Sequence, residues 1–183
     1  EQQLSDLLGF EVTTTLEDHQ LLFATGIMQK APHLKRSPTD SLEKHANYHE
    51  AELCQNRSAF GWFDTGSELS KQAIAQETYY ISLPLYYFPD WSTHAQELKS
   101  WYKFRKMIVI NPAEELAVVC VVGDIAPNNY TKKQFAGSAE LIHSGKIWSP
   151  LASGKVLVLF VDDPQNTIEL GPRSFTQIIT QQL

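Results

Sequence analysis

The sequence predicts a mainly β protein with helical additions, of the α+β class, built around a small β-barrel. Three observations predict it. The segment from Met107 to Pro164 contains three strand-like apolar runs. A Gly-Asp-x-x-Pro turn at positions 123–127 follows the second run, and a short helix signal precedes the third. The two longer runs are apolar throughout rather than alternating, as expected for strands that are covered on both faces.

Composition and charge indicate a globular protein and exclude two kinds of function. The 183 residues suffice for one domain with a real core. The formal net charge is -6 and Lys and Arg form no dense patch, so a nucleic-acid surface is not expected. No apolar run reaches the roughly 20 residues of a membrane-spanning helix. Cys120 lies in the apolar run AVVCVV, which favours a buried thiol over a disulfide with Cys54.

The chain divides near residue 60. Residues 1–60 carry four of the six histidines and long polar stretches, and we predict a helical and loop-rich N-terminal extension there. Within it, Thr39 or Asp40 could cap a helix that covers Leu42 to Leu53. Residues 61–183 are rich in β-forming residues and are predicted to form the barrel domain.

Each element of the second part has a local signal. Pro84 must mark an end, an edge or a bulge of the strand-like run from Glu77 to Phe88. Ser138 is a plausible cap and Gly145 a plausible stop for a short helix. The remaining predictions are a helix or long loop over Trp91 to Phe104, and strands over Met107 to Ile110, Leu116 to Val122 and Lys155 to Val161.

This order of elements resembles the double-psi β-barrel of the rare lipoprotein A, barwin and expansin families. The match covers roughly residues 76–164. It rests on an ordered set of segments: Ile110-Asn111-Pro112, Val118 to Val122, Asp124-Ile125-Ala126-Pro127, Ser138 to His143 and Val156 to Val161.

The resemblance implies a six-stranded double-psi β-barrel that binds a sugar polymer at a groove. Peptidoglycan is the leading partner, and no cofactor is implied. It also implies a secreted, periplasmic or cell-surface location. The first residues, EQQLSDLLGF, lack the basic start and apolar centre of a signal peptide, so a signal or anchor is expected outside this chain.

One departure from the family bears on catalysis. Its lytic members carry a second aspartate after the Asp-x-x-Pro turn, and Gly137 stands at that place here. Asp124 fills the other acidic position and is the candidate general acid for a lytic, transglycosylase-like cleavage of a glycan. Glu140 is the candidate replacement for the missing carboxylate. Whether the protein is an enzyme therefore stays open.

The acidic and aromatic residues each have a structural alternative. Asp124 follows an apolar strand, so burial could raise its pKa, but a turn aspartate also commonly accepts backbone N–H groups. Exposed aromatic rings can pack on the faces of sugar rings, and Tyr130 and Trp148 lie in polar, loop-like surroundings. The candidate substrate-binding residues are Asp64, Tyr130, Trp148, Asp162 and Asp163.

Two other functions compete with glycan binding. The segment from Phe63 to Ser67 matches the Phe-Asp-Thr-Gly-Ser signature of pepsin-like aspartic proteases. One copy, Asp64-Thr65-Gly66, would require a homodimer, because that chemistry needs two aspartates that share a proton. The second alternative is a module without a catalytic site that binds another protein. The oligomeric state is not predicted.

A metal site is considered and not predicted. His45, His49 and Cys54 have the spacing H-x3-H-x4-C, and on a helix the two histidines would share a face as zinc ligands do. Histidines on the polar face of a helix are the commoner explanation, so no metal is assigned.

Overall fold

The computed structural model describes residues 1–45, 47–126, 134–147 and 154–175. In this part the protein is mainly β with a few short helices. The helices are α1 (Gln2–Leu8), α2 (Lys71–Thr78), α3 (Trp91–Tyr102) and α4 (Ala139–Ser144), and 3-10 turns lie at Leu42–Lys44, His49–Ala51 and Leu85–Tyr87. The strands are β1 (Val12–Thr13), β2 (Thr15–Leu16), β3 (His19–Gln20), β4 (Thr25–Lys30), β5 (His33–Lys35), β6 (Leu53–Arg57), β7 (Tyr80–Leu83), β8 (Lys106–Asn111), β9 (Leu116–Ile125), β10 (Phe135–Gly137), β11 (Gly154–Val161) and β12 (Gly171–Ser174).

Six of these strands close into a β-barrel. Around the barrel the order is β4, β10, β7, β9, β8 and β11, and β11 pairs with β4 to close the ring. The pairs β4–β10 and β7–β9 are parallel, and the other four pairs are antiparallel. The closed barrel that the sequence predicts is therefore present. Two further strands join the same sheet, because β1 pairs with β11 and β12 pairs with β9.

The pairing is symmetric between the two halves of the barrel. The first half supplies β4, β7 and β8, and the second supplies β9, β10 and β11. The first strand of each half pairs in parallel with the second strand of the other half. The first strand of each half also pairs antiparallel with the third strand of the other half: β4 pairs with β11, and β9 pairs with β8. All six barrel pairs thus join a strand of one half to a strand of the other half.

The barrel wall is covered on both faces, as the uninterrupted apolar runs predict. Val118, Cys120 and Val122 of β9 belong to a cluster that takes side chains from all six barrel strands, which is the barrel interior. The intervening Ala117 and Val119 belong to a second cluster, outside the wall, with Leu8 and Val12 from the N-terminal segment. A strand buried on both faces has no polar positions to alternate with.

Several local predictions are confirmed. The strand that ends at Pro84, the helix that begins at Trp91 and the three strands β8, β9 and β11 are all present. Ser138 caps α4, because its hydroxyl accepts the N–H of Leu141, and Gly145 ends this helix. Cys120 is a buried free thiol and Cys54 is free as well. No helix in the described ranges combines the length and apolar character that crossing a bilayer requires.

The helical extension predicted over residues 1–60 is not confirmed. In the described part of this segment the one α-helix is α1, and the remainder forms short strands and 3-10 turns. The predicted helix from Leu42 to Leu53 is wrong, because two 3-10 turns and the start of β6 occupy that range. Side-chain contacts decide this region: Asp40 folds back on Arg36 and His45 instead of capping a helix. The same segment supplies β4 to the barrel.

Candidate functional site

A β-bulge near the end of β9 sets the direction of Asp124. In the parallel pair with β7, Ile81 lies opposite Val122 and Ser82 lies opposite Asp124, so Gly123 is an extra residue in β9. Because of it, Ile125 takes the next inward position after Val122, and Asp124 is kept out of the apolar interior. A side chain at position 123 would not fit, since an added Cβ would lie 2.7 Å from Cβ of Tyr80.

The Asp124 carboxyl is partly buried. Its Oδ1 accepts the backbone N–H of Ala59 at 2.7 Å. Burial raises the pKa of Asp124 above its usual range, while backbone hydrogen bonds from Ala59 and Ile125 act in the opposite direction. Among the described residues, no cationic side chain is a leading cause of this shift and none forms an ion pair with Asp124. This is the electrostatic setting of a carboxyl that can donate a proton.

An aromatic group adjoins Asp124. Tyr86 is 42 % exposed and is the most exposed of the large apolar side chains in the described ranges. Its hydroxyl donates to the carbonyl of Ile125, the residue after Asp124. Tyr87 and Trp91 meet its ring edge to face, at centroid distances of 6.4 and 5.6 Å. We call Asp124 and Tyr86 the Asp124 site.

The second aspartate of the lytic families has no room at its expected place. Gly137 is the last residue of β10 and is buried. An added Cβ there would lie 3.0 Å from Cδ2 of Leu141 and 3.0 Å from Sδ of Met28, both core side chains. A carboxylate at position 137 would therefore enter the apolar core, where an unpaired charge is expensive.

Glu140, the candidate replacement acid, belongs to a different environment. Burial raises its pKa, and the carboxylate of Glu77 acts in the same direction, while His33 and His45 act to lower it. Its Oε2 is buried and has no hydrogen-bond partner among the described residues. Asp124 is not among the groups that shift the pKa of Glu140 most strongly.

Asp64 is a loop residue that organises the start of α2. Its two carboxylate oxygens accept the backbone N–H groups of Gly66 and Ser70. These hydrogen bonds lower the pKa of Asp64 to about 2. An aspartic protease needs a carboxyl pair that retains a proton, so no feature of Asp64 favours the protease alternative.

Asp162 and Asp163 line a cavity of about 700 Å³ that also contains Phe104 and Arg105. Neither Asp124 nor Glu140 borders it. The carboxylate of Asp163 already has partners within the protein, since it accepts hydrogen bonds from Lys106, Thr167 and Ile168.

The two aromatic candidates, Tyr130 and Trp148, lie outside the described residues, as does Pro127 of the Asp-x-x-Pro turn.

A second constellation, which we call the histidine cluster, consists of His33, His45 and Glu77. All three side chains are at most 2 % exposed. His33 begins β5, His45 follows the first 3-10 turn and Glu77 lies in α2. Sequence reasoning paired His45 with His49 and Cys54 instead. His49 and Cys54 are close to His45 in the sequence, whereas His33 and Glu77 are distant from it. A rule based on residue spacing therefore could not have identified His33 and Glu77 as the neighbours of His45.

The two imidazoles of the cluster face one carboxylate. Nδ1 of His33 lies 3.4 Å from Oε1 of Glu77, and Nδ1 of His45 lies 3.3 Å from Oε2. Burial acts to lower the pKa of His33, but the Glu77 carboxylate and the Tyr48 carbonyl outweigh it and raise that pKa. Burial conversely favours a higher pKa for Glu77, and the two histidines overcome it and lower the value.

Comparison with known proteins adds no assignment to this geometry. No protein-family model, no curated protein and no solved structure matches the chain.

Proposed function

We propose that this protein binds a cell-wall or extracellular polysaccharide, with peptidoglycan as the leading substrate, and that Asp124 acts on it as a general acid. One observation carries the proposal. A partly buried carboxyl with a raised pKa lies beside the exposed ring of Tyr86. Sugar rings pack on aromatic faces, so the Tyr86 ring suits a sugar ring of the ligand. A glycosidic oxygen needs a proton donor to leave, so the Asp124 carboxyl suits the glycosidic bond.

The chemistry can proceed with one carboxyl. The protonated Asp124 donates its proton to the glycosidic oxygen as the bond from that oxygen to the anomeric carbon breaks. A hydroxyl of the same sugar then attacks the anomeric carbon, and the Asp124 carboxylate accepts the proton that this hydroxyl loses. The product is an internal anhydro sugar and no water is consumed. This route fits a site without a second carboxyl at position 137.

We further infer that the barrel is of the double-psi type found in the rare lipoprotein A, barwin and expansin families. The support is the crossed pairing, in which the first strand of each half is the parallel partner of the second strand of the other half. A secreted, periplasmic or cell-surface location goes with this proposal, since that is where such substrates occur.

The first prediction concerns cleavage. Purified sacculi are incubated with the wild type, with Asp124→Asn and with the control Asp18→Asn, and the soluble fragments are measured by mass spectrometry. Asp124→Asn should lower the rate of release about 10²- to 10⁴-fold, as loss of a general acid does. Asp18 is an exposed turn residue at φ 65, where Asn is well tolerated, so its variant should match the wild type.

Two readouts make this experiment decisive. In water labelled with heavy oxygen, the fragments should carry no label at the new end, because the sugar's own hydroxyl attacks. Label at that end would contradict the anhydro route, and undiminished release by Asp124→Asn would remove Asp124 from the mechanism.

Binding is tested separately with insoluble peptidoglycan, cellulose and chitin. Tyr86→Ala should weaken retention about two- to tenfold, the range expected for one aromatic contact. Tyr86→Phe keeps the ring and loses only the hydroxyl that reaches Ile125, so it is the matched control. Binding by an Asp124→Asn variant that no longer cleaves would separate recognition from catalysis. No retention of the wild type on any polymer would overturn the proposal and favour a protein-binding module.

A further inference from the structure

We infer that the histidine cluster is a structural zinc site, in which His33, His45 and Glu77 bind the metal through their Nδ1 atoms and a carboxylate oxygen. The inference is independent of glycan binding. It rests on the hydrogen bonding of the two imidazoles, the spacing of the ligand atoms, and the charge and burial of the surroundings.

Each imidazole lies between two hydrogen-bond acceptors. Nε2 of His33 is 3.0 Å from the carbonyl oxygen of Tyr48, and its Nδ1 faces Glu77. Nε2 of His45 is 3.2 Å from Oδ2 of Asp40, and its Nδ1 also faces Glu77. A neutral imidazole has one N–H, so one of its nitrogens presents a lone pair to an acceptor. Nδ1 of His33 indeed has no hydrogen-bond partner among the described residues.

Protonation of both rings is a costly way to remove this conflict. The centroids of His33 and His45 are 4.5 Å apart, so two imidazolium ions would repel at short range in a buried place. A cation between the Nδ1 atoms and Glu77 removes the conflict differently. It accepts both lone pairs and leaves each Nε2–H to the acceptor it already faces.

The spacing of the ligand atoms suits a small tetrahedral ion. Tetrahedral zinc with bonds of about 2.0–2.1 Å places neighbouring ligand atoms about 3.3 Å apart. Nδ1 of His33 lies 3.4 Å from one oxygen of the Glu77 carboxylate, and Nδ1 of His45 lies 3.3 Å from the other oxygen. One ligand atom from each of the three residues lies within 4.8 Å of the other two. Two imidazoles and one carboxylate are also the nitrogen and oxygen donors that zinc accepts.

The groups behind the ligands already hold them in the required orientation. Asp40 fixes the His45 ring and is itself held by Arg36, whose Nε and Nη2 donate to the two Asp40 oxygens at 2.9 and 3.0 Å. Oε1 of Glu77 accepts the backbone N–H of Leu34 at 3.1 Å. A carboxylate or carbonyl behind each ligating histidine is the usual outer shell of a protein zinc site.

Charge and burial indicate a structural role. Asp40 and Arg36 form a buried ion pair, which leaves the Glu77 carboxylate as the anionic group that faces the two Nδ1 atoms. A divalent cation would supply positive charge beside this buried carboxylate. Glu140 interacts electrostatically with all three ligands, and its Oε2 is buried without a hydrogen-bond partner among the described residues. The three ligands are buried, so the ion would tie β5, the segment before residue 46 and α2 together.

The test begins with the wild-type protein, prepared without a histidine tag from zinc-supplemented medium. Elemental analysis should find about one zinc per chain. After removal of the metal, Co²⁺ should restore the strong visible absorption of tetrahedral coordination by nitrogen and oxygen, and Zn²⁺ should displace it. Mg²⁺ at the same concentration should do neither, because it prefers six oxygen ligands.

Variants then locate the site. Glu77→Gln keeps an acceptor for the Leu34 N–H but loses the anionic ligand, and His45→Gln loses one imidazole. Both should lose the cobalt spectrum and the rise in melting temperature that zinc gives the wild type. His94→Gln, on exposed α3, is the matched control and should keep both. If the two cluster variants fail to fold, the wild-type spectrum and metal content still decide the question.

Two results would overturn the inference. One is wild-type protein that holds no zinc and gives no tetrahedral cobalt spectrum, which would leave an ion-pair cluster only. The other is an unchanged cobalt spectrum in folded Glu77→Gln and His45→Gln, which would place the metal elsewhere.

Discussion

The contacts of each carboxyl group decide whether its pKa is raised or lowered, and Asp124 and Asp163 differ in this respect. Burial raises the pKa of Asp124, and no cationic side chain in the described ranges pairs with its carboxyl. Asp163 is 4 % exposed at its side chain and pairs with Lys106, which is 10 % exposed. Burial favours a higher pKa for Asp163, but the hydrogen bonds and charge of Lys106 and the backbone N–H groups prevail and lower it to about 2. Asp163 is therefore better suited to stabilising the fold than to binding a sugar.

Replacing Asp163 should show this in the pH dependence of stability. Asp163→Asn leaves the Lys106 ammonium buried without its counter-ion, which we expect to cost about 3–5 kcal/mol at pH 7. Since the folded pKa is below the unfolded value of about 3.9, the contribution is complete above that pH and is lost as the pH falls towards about 2. Urea unfolding at pH 7, 3 and 2 should show the difference from the wild type shrinking.

Asp162→Asn is the adjacent control for that experiment. Asp162 is exposed and makes no side-chain hydrogen bond or ion pair within the described ranges, so its variant should stay within about 0.5 kcal/mol of the wild type. An Asp163→Asn penalty that does not change with pH would contradict the ion-pair explanation.

At the level of elements, the bulge in β9 is the feature on which the Asp124 site depends. A regular strand would point Asp124 to the same side as Val118, Cys120 and Val122, into the barrel interior. The sequence predicts this strand well because its apolar run is long. It does not predict the bulge, which arises from the way β7 and β9 meet. Gly123 is the one residue in the sequence of β9 that indicates the bulge, since a glycine within a strand often marks a bulge or a place where another backbone comes close.

Gly123→Ala should therefore destabilise the protein. The new methyl carbon would lie 2.7 Å from Cβ of Tyr80, a fully buried residue whose Cβ cannot move without its strand. We expect a loss of about 1–3 kcal/mol in the free energy of unfolding, measured in urea. Gly66→Ala, in an exposed loop where the nearest atoms lie at 3.3 Å rather than 2.7 Å, should cost less than Gly123→Ala. Equal stability of the two variants would contradict the tight approach of β7 to β9.

For the whole molecule, the sequence predicts what depends on local pattern and misses what depends on distant partners. Strands β8, β9 and β11 and helix α4 have runs or caps that identify them. By contrast, β4 contains Gly26, Gln29 and Lys30 and has no strand-like pattern, yet it closes the barrel between β10 and β11. The histidine cluster was missed for the same reason, because its members lie in three separate segments.

Removing residues 1–60 should consequently prevent folding of the remainder. Without β4, both β10 and β11 lose a partner and the barrel interior opens. A chain of residues 61–183 should show no fixed near-ultraviolet circular dichroism and no cooperative urea transition. Removal of α1 alone, residues 1–8, leaves all six barrel strands and should retain both signals. A cooperative transition in the shorter chain would show that β4 is dispensable.

The crossed pairing of the two halves has a consequence for how the chain reaches this state during synthesis. The partners Thr25 and Leu157 lie at opposite ends of the barrel sequence and pair across the closing seam. Contacts of such wide sequence separation form slowly, and the last barrel strand must leave the ribosome before the first is fully bonded. A newly made chain should therefore keep its barrel open, with the edges of β4 and β8 unpaired, until β11 has been translated.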